Sequence, residues 1–115
     1  MEEIYELKKE YRNHAIAHGN ATLTGDFKSA NRNHDALISV LNILKGLGIS
    51  GQNALLDLSN DEVDYVACWA ATHALSFETV KSVQVLERLS KKHGPIGFNA
   101  KMVLRQWRSQ DHTTP

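Results

Sequence analysis

The chain has 115 residues, 42% of them hydrophobic and 23% charged, and a formal net charge of zero. This length predicts one domain that can bury a core without disulfides or metal, and the neutral balance argues against a generic nucleic-acid binder. The single cysteine, Cys68, excludes an intramolecular disulfide, and the sequence shows neither a secretory signal nor a membrane-length apolar run, so we expect a cytoplasmic protein.

The first half of the chain predicts two long helices. Apolar residues recur every three or four positions over residues 3–23 and again over 27–47. Asp26, after the turn at Gly25, is placed to cap the second helix. That helix is apolar over more than half its circumference, which predicts neighbours on two sides and a central position in the fold.

Two shorter helices follow, over residues 51–58 and from about residue 62 to Leu75. Ser59 and Glu62 have the spacing of a capping box, which predicts that the fourth helix starts there. Small residues on one face let another helix approach closely, and the fourth helix has a run of them: Ala67, Ala70, Ala71 and Ala74.

The last two helices are predicted over residues 78–93 and 96–108, on either side of Gly94 and Pro95. The expected inward residues are Val80, Val83, Leu86 and Leu89 in the fifth helix and Phe98, Met102, Leu104 and Trp107 in the sixth. Trp69 is also expected in the core. Residues 1–108 therefore form the predicted domain, and residues 109–115 a flexible polar tail.

The second half of the chain contains two similar helix pairs. The motif Leu55-Leu56-x-Leu58, a turn and Ala70-Ala71-x-x-Ala74-Leu75 is echoed 29 to 31 residues later by Val85-Leu86-x-x-Leu89, a turn and Ala100-x-x-Val103-Leu104. Such an offset is typical of repeated helix pairs that bury their apolar faces by stacking. We therefore predict an all-α fold of about six helices, arranged as stacked antiparallel pairs.

The first of these pairs resembles a HEAT repeat. The resemblance rests on Leu55, Leu56, Leu58, Asp61 and Val63, followed by Val66-Ala67-x-x-Ala70-Ala71-x-x-Ala74-Leu75. A HEAT repeat usually has an arginine after the valine-like position, and this chain has none there. The resemblance implies a short HEAT-like alpha-alpha superhelix.

A wider pattern resembles a family of small bacterial domains of unknown function that form an alpha-alpha superhelix. It begins with Gly25-Asp26-x-x-x-Ala30-Asn31-Arg32, continues through the long apolar helix and the alanine-rich helix, and spans residues 4–108. This resemblance implies a fold and a bacterial origin, and it implies no activity.

Charge is unevenly distributed along the chain. Residues 51–76 contain four acids and no base, whereas residues 77–115 contain three acids and seven bases. Carboxylates at a helix start are explained in part by its positive end, but four of them without a neighbouring base leave charge for a partner. The predicted partner-binding residues are Asp57, Asp61, Glu62 and Asp64.

The chemistry-bearing residues admit a functional and a structural interpretation. His14 and His18 share one helical face, and His34 or Asp35 of the next helix could complete a metal or acid–base site. We favour the structural interpretation, with partly buried rings and an ion pair between Asp35 and Arg32. Cys68 is interpreted as a packing residue, because no base adjoins it.

No catalytic, cofactor-binding or metal residue is therefore assigned, and we predict a non-enzymatic protein-binding module. Its most specific form is an immunity-type protein that binds and neutralises a cognate toxin domain in the cytoplasm. The alternatives are a small metal-dependent or acid–base enzyme using His14, His18 and His34, and a nucleic-acid-binding repeat using the basic C-terminal helices. An exposed apolar strip on the second helix would also suit a homodimer.

Overall fold

The computed structural model describes residues 2–110 of the chain. Its six α-helices are α1 Glu2–Thr24, α2 Phe27–Gly46, α3 Ile49–Leu58, α4 Asp64–Ala74, α5 Thr79–Ser90 and α6 Pro95–Ser109. The described part has no strand, and the prediction of an all-α fold with about six helices is confirmed. Helix α6 includes the first residue of the predicted tail, and residues 111–115 lie outside the described part.

The helices stack as three successive pairs, α1 with α2, α3 with α4 and α5 with α6. Helix α4 is the central one, since it contacts α1, α3, α5 and α6, whereas the main contacts of α2 are with α1 and α3. The prediction that the second helix is central is therefore wrong. Part of the apolar circumference of α2 remains open to solvent, and Ile43 there is 48% exposed.

Small side chains explain why α4 occupies the centre. Two apolar clusters fill the interior, one between α4 and helices α1–α3 and the other between α4 and helices α5–α6. Helix α4 contributes Ala70 to the first cluster and Ala67 and Ala71 to the second. All are fully buried, and alanine brings no bulk that would hold the neighbours apart, in agreement with the predicted close approach.

The helix starts confirm one predicted cap and correct another. The Asp26 carboxylate accepts a hydrogen bond from the Ser29 amide at 3.1 Å and caps α2. Ser59, in contrast, ends α3, and its hydroxyl donates to the Leu56 carbonyl at 2.6 Å. The predicted capping box is therefore wrong, because residues 60–63 separate Ser59 from α4, which begins only at Asp64.

Two corners of the fold share one glycine pattern, Gly-x-x-Gly, at residues 48–51 and 94–97. The first glycine of each has a positive φ, 65° at Gly48 and 83° at Gly94, which glycine adopts without steric cost. At the second glycine there is no room for a side chain. A Cβ atom at Gly51 would clash with the backbone carbonyl of Leu44, and one at Gly97 with that of Lys92. The pattern therefore allows the chain to turn sharply from α2 into α3 and from α5 into α6.

Three residues predicted to face inward are on the surface. Val80 is 70% exposed, Phe98 63% and Met102 44%. The buried face of α5 runs through Ser82, Leu86 and Leu89, and that of α6 through Gly97, Ala100 and Leu104. At about 100° per residue, the three exposed residues fall on the far side of their helices. The predicted register was therefore wrong at these positions.

Within residues 2–110, no helix is both long enough and apolar enough to cross a membrane.

Candidate binding groove

A groove lies on one face of the molecule, with α4 as its floor and α1 and α6 as its walls. Its cavity has a volume of about 340 Å³, at the lower end of the roughly 300–1,000 Å³ typical of ligand sites. We call it the α1/α4/α6 groove. It is lined by His18, Gly19, Thr22, Leu23, Tyr65, Cys68, Trp69, Thr72, Pro95, Ile96, Asn99, Met102 and Val103.

Close packing of α1 against α4 shapes one end of the groove. A methyl group at Gly19 would lie 2.5 Å from the ring of Tyr65, so the ring packs directly on the α1 backbone. Gly19 is buried and does not interrupt α1. The glycine therefore lets the Tyr65 ring lie flat against the wall.

The groove leaves apolar surface exposed. Leu23 on α1 is 59% exposed, and Met102 on α6 is 44% exposed. Phe98, 63% exposed, lies one helical turn before Met102 on the outer edge of the same wall. Exposed apolar side chains at the rim of a cavity are typical of interaction sites.

A cluster of histidine and aromatic side chains lies behind the groove, and we call it the histidine–aromatic cluster: Tyr11, His18, His34, Trp69 and His73. The ring centroids of Trp69 are 5.3 Å from those of His18, 5.6 Å from those of His34 and 5.4 Å from those of His73. The Tyr11 hydroxyl and Nδ1 of His73 are hydrogen-bonded at 2.6 Å. Trp69 and His18 belong to both the cluster and the groove.

Burial shifts the pKa values of four groups in this region in favour of their neutral forms: Tyr11, His18, Cys68 and His73. It lowers the pKa of His73 to about 4, with smaller contributions from Lys45 and His34. Burial also lowers the pKa of His18, and His34 adds to that effect. For the same reason the pKa of Tyr11 lies well above its ordinary value, and the Cys68 pKa rises to about 11. Cys68 is thus a protonated, buried thiol at neutral pH.

The residues considered for metal or acid–base chemistry are only partly brought together. His18 and His34 adjoin, with ring centroids 6.3 Å apart, whereas His14 is hydrogen-bonded through Nδ1 to Asn33 at 3.0 Å. Asp35 lies 3.7 Å from the His34 ring. Within residues 2–110, no three histidine, cysteine or carboxylate side chains are grouped as metal ligands.

The predicted ion pair between Asp35 and Arg32 does not form. Arg32 instead donates from Nη2 to the Ser29 hydroxyl at 3.0 Å, and that hydroxyl donates to Asp26 at 2.8 Å. The guanidinium therefore supports the cap of α2, and the Asp35 side chain is 86% exposed.

The four carboxylates predicted to bind a partner lie together, and we call them the 57–64 segment. Asp57 pairs with Lys8 at 3.1 Å, Asp61 with Arg12 at 2.9 Å, and Asp64 with Lys92 at 2.8 Å, while Glu62 is exposed. The Asp61 carboxylate also accepts a hydrogen bond from the Val63 amide at 2.8 Å. Three of the four charges are thus balanced by bases that are distant in sequence.

The groove and the Tyr11–His73 bond were not among the sequence-based predictions. The sequence pattern assigned no functional role to either residue of that bond. The exposed stripe on α6 did carry a signal, because Phe98, Met102 and Arg105 recur at three-to-four spacing on one face.

The fold is similar to that of the protein RPA1889 from Rhodopseudomonas palustris CGA009, known from its crystal structure. The TM-score is 0.87 with 21% sequence identity, covering 97% of this chain and 93% of that chain. At this identity the similarity establishes the fold alone. No protein-family model and no curated protein matches the chain.

Proposed function

We propose that this chain is a protein-binding module that receives part of its partner in the α1/α4/α6 groove. The observation that carries the proposal is the exposure of large apolar side chains, Leu23, Phe98 and Met102, around a concave site. Burying such groups against a partner removes apolar surface from water, which is the main favourable term in protein association. Trp69, half-buried in the floor, is of the residue type most often found as an interface anchor.

The most specific form of the proposal is an immunity-type protein that binds and neutralises a toxin domain in the bacterial cytoplasm. We also propose that the stacked helix pairs of this chain are related to HEAT repeats. A short helical chain without a recognisable nucleophile or phosphate-binding motif supports it. The 57–64 segment has a secondary role here, because internal bases already balance three of its carboxylates and Glu62 remains for a partner.

Site-specific photocrosslinking in cells of the source organism tests this proposal. A benzophenone amino acid replaces Phe98 at the groove, Glu62 in the 57–64 segment, or Val80, a control that is 70% exposed on α5. We expect one protein adduct of discrete mass from the Phe98 position and none from Val80. An adduct from Glu62 alone would move the interface to the 57–64 segment, and no adduct at any position would contradict protein binding.

The identity of the crosslinked protein then tests the immunity form. We expect the purified partner domain to lose its toxic activity when one equivalent of this chain is added. Substitution of Met102 by Asp should abolish that protection, because the new carboxylate would be buried without a counter-charge. Protection that survives in the Met102→Asp variant would rule out the groove as the inhibitory surface.

A further inference from the structure

The walls of the α1/α4/α6 groove are built entirely from helix surfaces. On α4, for example, Tyr65, Cys68 and Thr72 line the floor at the spacing of one helical stripe. The part of the chain that the structure describes has no strand, so an extended peptide finds no sheet edge to pair with. The ridge of side chains on another helix fits a trough between two helices, as in ordinary helix packing.

The two wall helices carry charge of one sign along the groove, and Asp64, the carboxylate on the floor helix near Cys68, is paired with Lys92 at 2.8 Å. Helix α6 carries Lys101, Arg105 and Arg108 and no acid, and residues 13–24 of α1 contain neither an acid nor a lysine or arginine. Arg108 is paired with Glu87 at 2.8 Å. Lys101 and Arg105 are exposed and have no ion pair within residues 2–110.

Arg105 lies one helical turn beyond Met102, so a cation with no ion pair in the described part of the chain adjoins the exposed apolar edge of the groove. A partner that buries Met102 brings its own flanking residues close to this guanidinium. Carboxylates at those positions form charge-assisted hydrogen bonds with it, whereas ammonium groups are repelled.

We infer that the partner segment is an amphipathic helix with an apolar ridge and carboxylates along the edge that faces α6. The inference rests on the proposed function and adds to it the chemistry of the bound segment. It distinguishes this site from the 57–64 segment, whose own carboxylates would suit a basic partner.

Two synthetic helical peptides of about 18 residues, or five turns, test the inference. Both have the same leucine ridge, and one has glutamates and the other lysines along both edges of that ridge. Binding to the full chain is followed by NMR of the Trp69 indole and the Met102 methyl group. We expect the glutamate helix to shift both signals and to bind about tenfold more tightly than the lysine helix at low salt.

Charge-reversal variants link this preference to α6. Lys101→Glu with Arg105→Glu should remove or invert the preference, whereas Lys81→Glu with Arg88→Glu, also exposed bases but on α5, should leave it unchanged. Equal binding of both peptides by the wild-type chain would overturn the predicted carboxylates.

The outcomes separate the inference from the proposed function. If neither peptide shifts Trp69 or Met102 while the Phe98 adduct still forms, the bound segment is not such a helix, although protein binding stands. If the adduct is also absent, both fail. A single-stranded oligonucleotide that binds at Lys101 and Arg105 more tightly than the glutamate helix would assign these bases to nucleic acid and overturn the inference.

Discussion

The 57–64 segment and the α1/α4/α6 groove differ in how they accommodate ionisable side chains. In the segment, three carboxylates are paired with the basic side chains of Lys8, Arg12 and Lys92. In and behind the groove, ionisable groups such as His73 are held neutral by burial, and apolar side chains reach the solvent. An acidic sequence is thus a weak guide to a binding surface, because its charge can be satisfied inside the molecule.

Lowering the pH should reduce the free energy of unfolding through His73, behind the groove, and this is the largest effect that we expect. The folded state keeps His73 neutral down to about pH 4, whereas the unfolded chain takes up the proton near the ordinary value of 6.5. The neutral His73 ring therefore makes its full contribution to the free energy of unfolding above pH 6.5. That contribution is lost as the pH falls from 6.5 to about 4. The pKa difference corresponds to a decrease in the free energy of unfolding of about 3 kcal/mol at most.

Urea unfolding of the wild type and of a His73→Asn variant across this pH range measures the loss. Asparagine keeps a hydrogen-bonding group near the Tyr11 hydroxyl but does not titrate, so the difference between the two curves isolates His73. His93→Asn, an exposed site on the loop before α6, is the control and should follow the wild type. Parallel curves for wild type and His73→Asn would show that His73 is not held neutral.

The next largest effect is expected from filling the contact between α1 and α4. Gly19→Ala places a methyl group against the Tyr65 ring, which must move out of its position in the groove wall. We expect the free energy of unfolding to fall by about 1–3 kcal/mol, as for other overpacked sites. Urea denaturation measures the loss, and the NMR signals of the Tyr65 ring report its displacement.

Gly46→Ala is the matched control, because Gly46 is also helical and a methyl group there meets no atom within 4 Å. That variant should be unchanged or more stable by up to about 1 kcal/mol. If both variants have wild-type stability and the Tyr65 signals stay in place, the close approach of Gly19 and Tyr65 is not required.

The smallest effects distinguish the carboxylates of the 57–64 segment from one another. The Asp61 side chain is 15% exposed and bonds both Arg12 and the Val63 amide, so Asp61→Ala should cost about 1–2 kcal/mol. Asp57 is 69% exposed in its pair with Lys8, and Asp57→Ala should cost about 0.5 kcal/mol or less. Thermal unfolding at low and high salt, combined with Arg12→Ala and Lys8→Ala in double-mutant cycles, measures both pairs. Equal costs at the two sites would contradict this ranking by burial.

Much of the fold was accessible from the sequence. Apolar periodicity located all six helices to within a few residues, and Asp26 identified the start of α2. The alanine run in residues 67–74 indicated close packing, which the complete burial of these alanines supports. The errors fell where periodicity is ambiguous, as at Val80 and Phe98, or where a local motif competed with a turn, as at Ser59.

The sequence by itself determined the helices and their apolar faces, because helix formation and capping depend on residues within about four positions of one another. Only the tertiary structure decided that α4 is central, that Asp57 and Asp61 face bases 49 residues away, and that α1 and α6 enclose a groove. Those arrangements depend on which apolar faces pack together and at what angle, and several alternatives share one pattern of hydrophobic residues. The short alanine side chains of α4 favour the observed arrangement, since they admit neighbours on both sides of that helix.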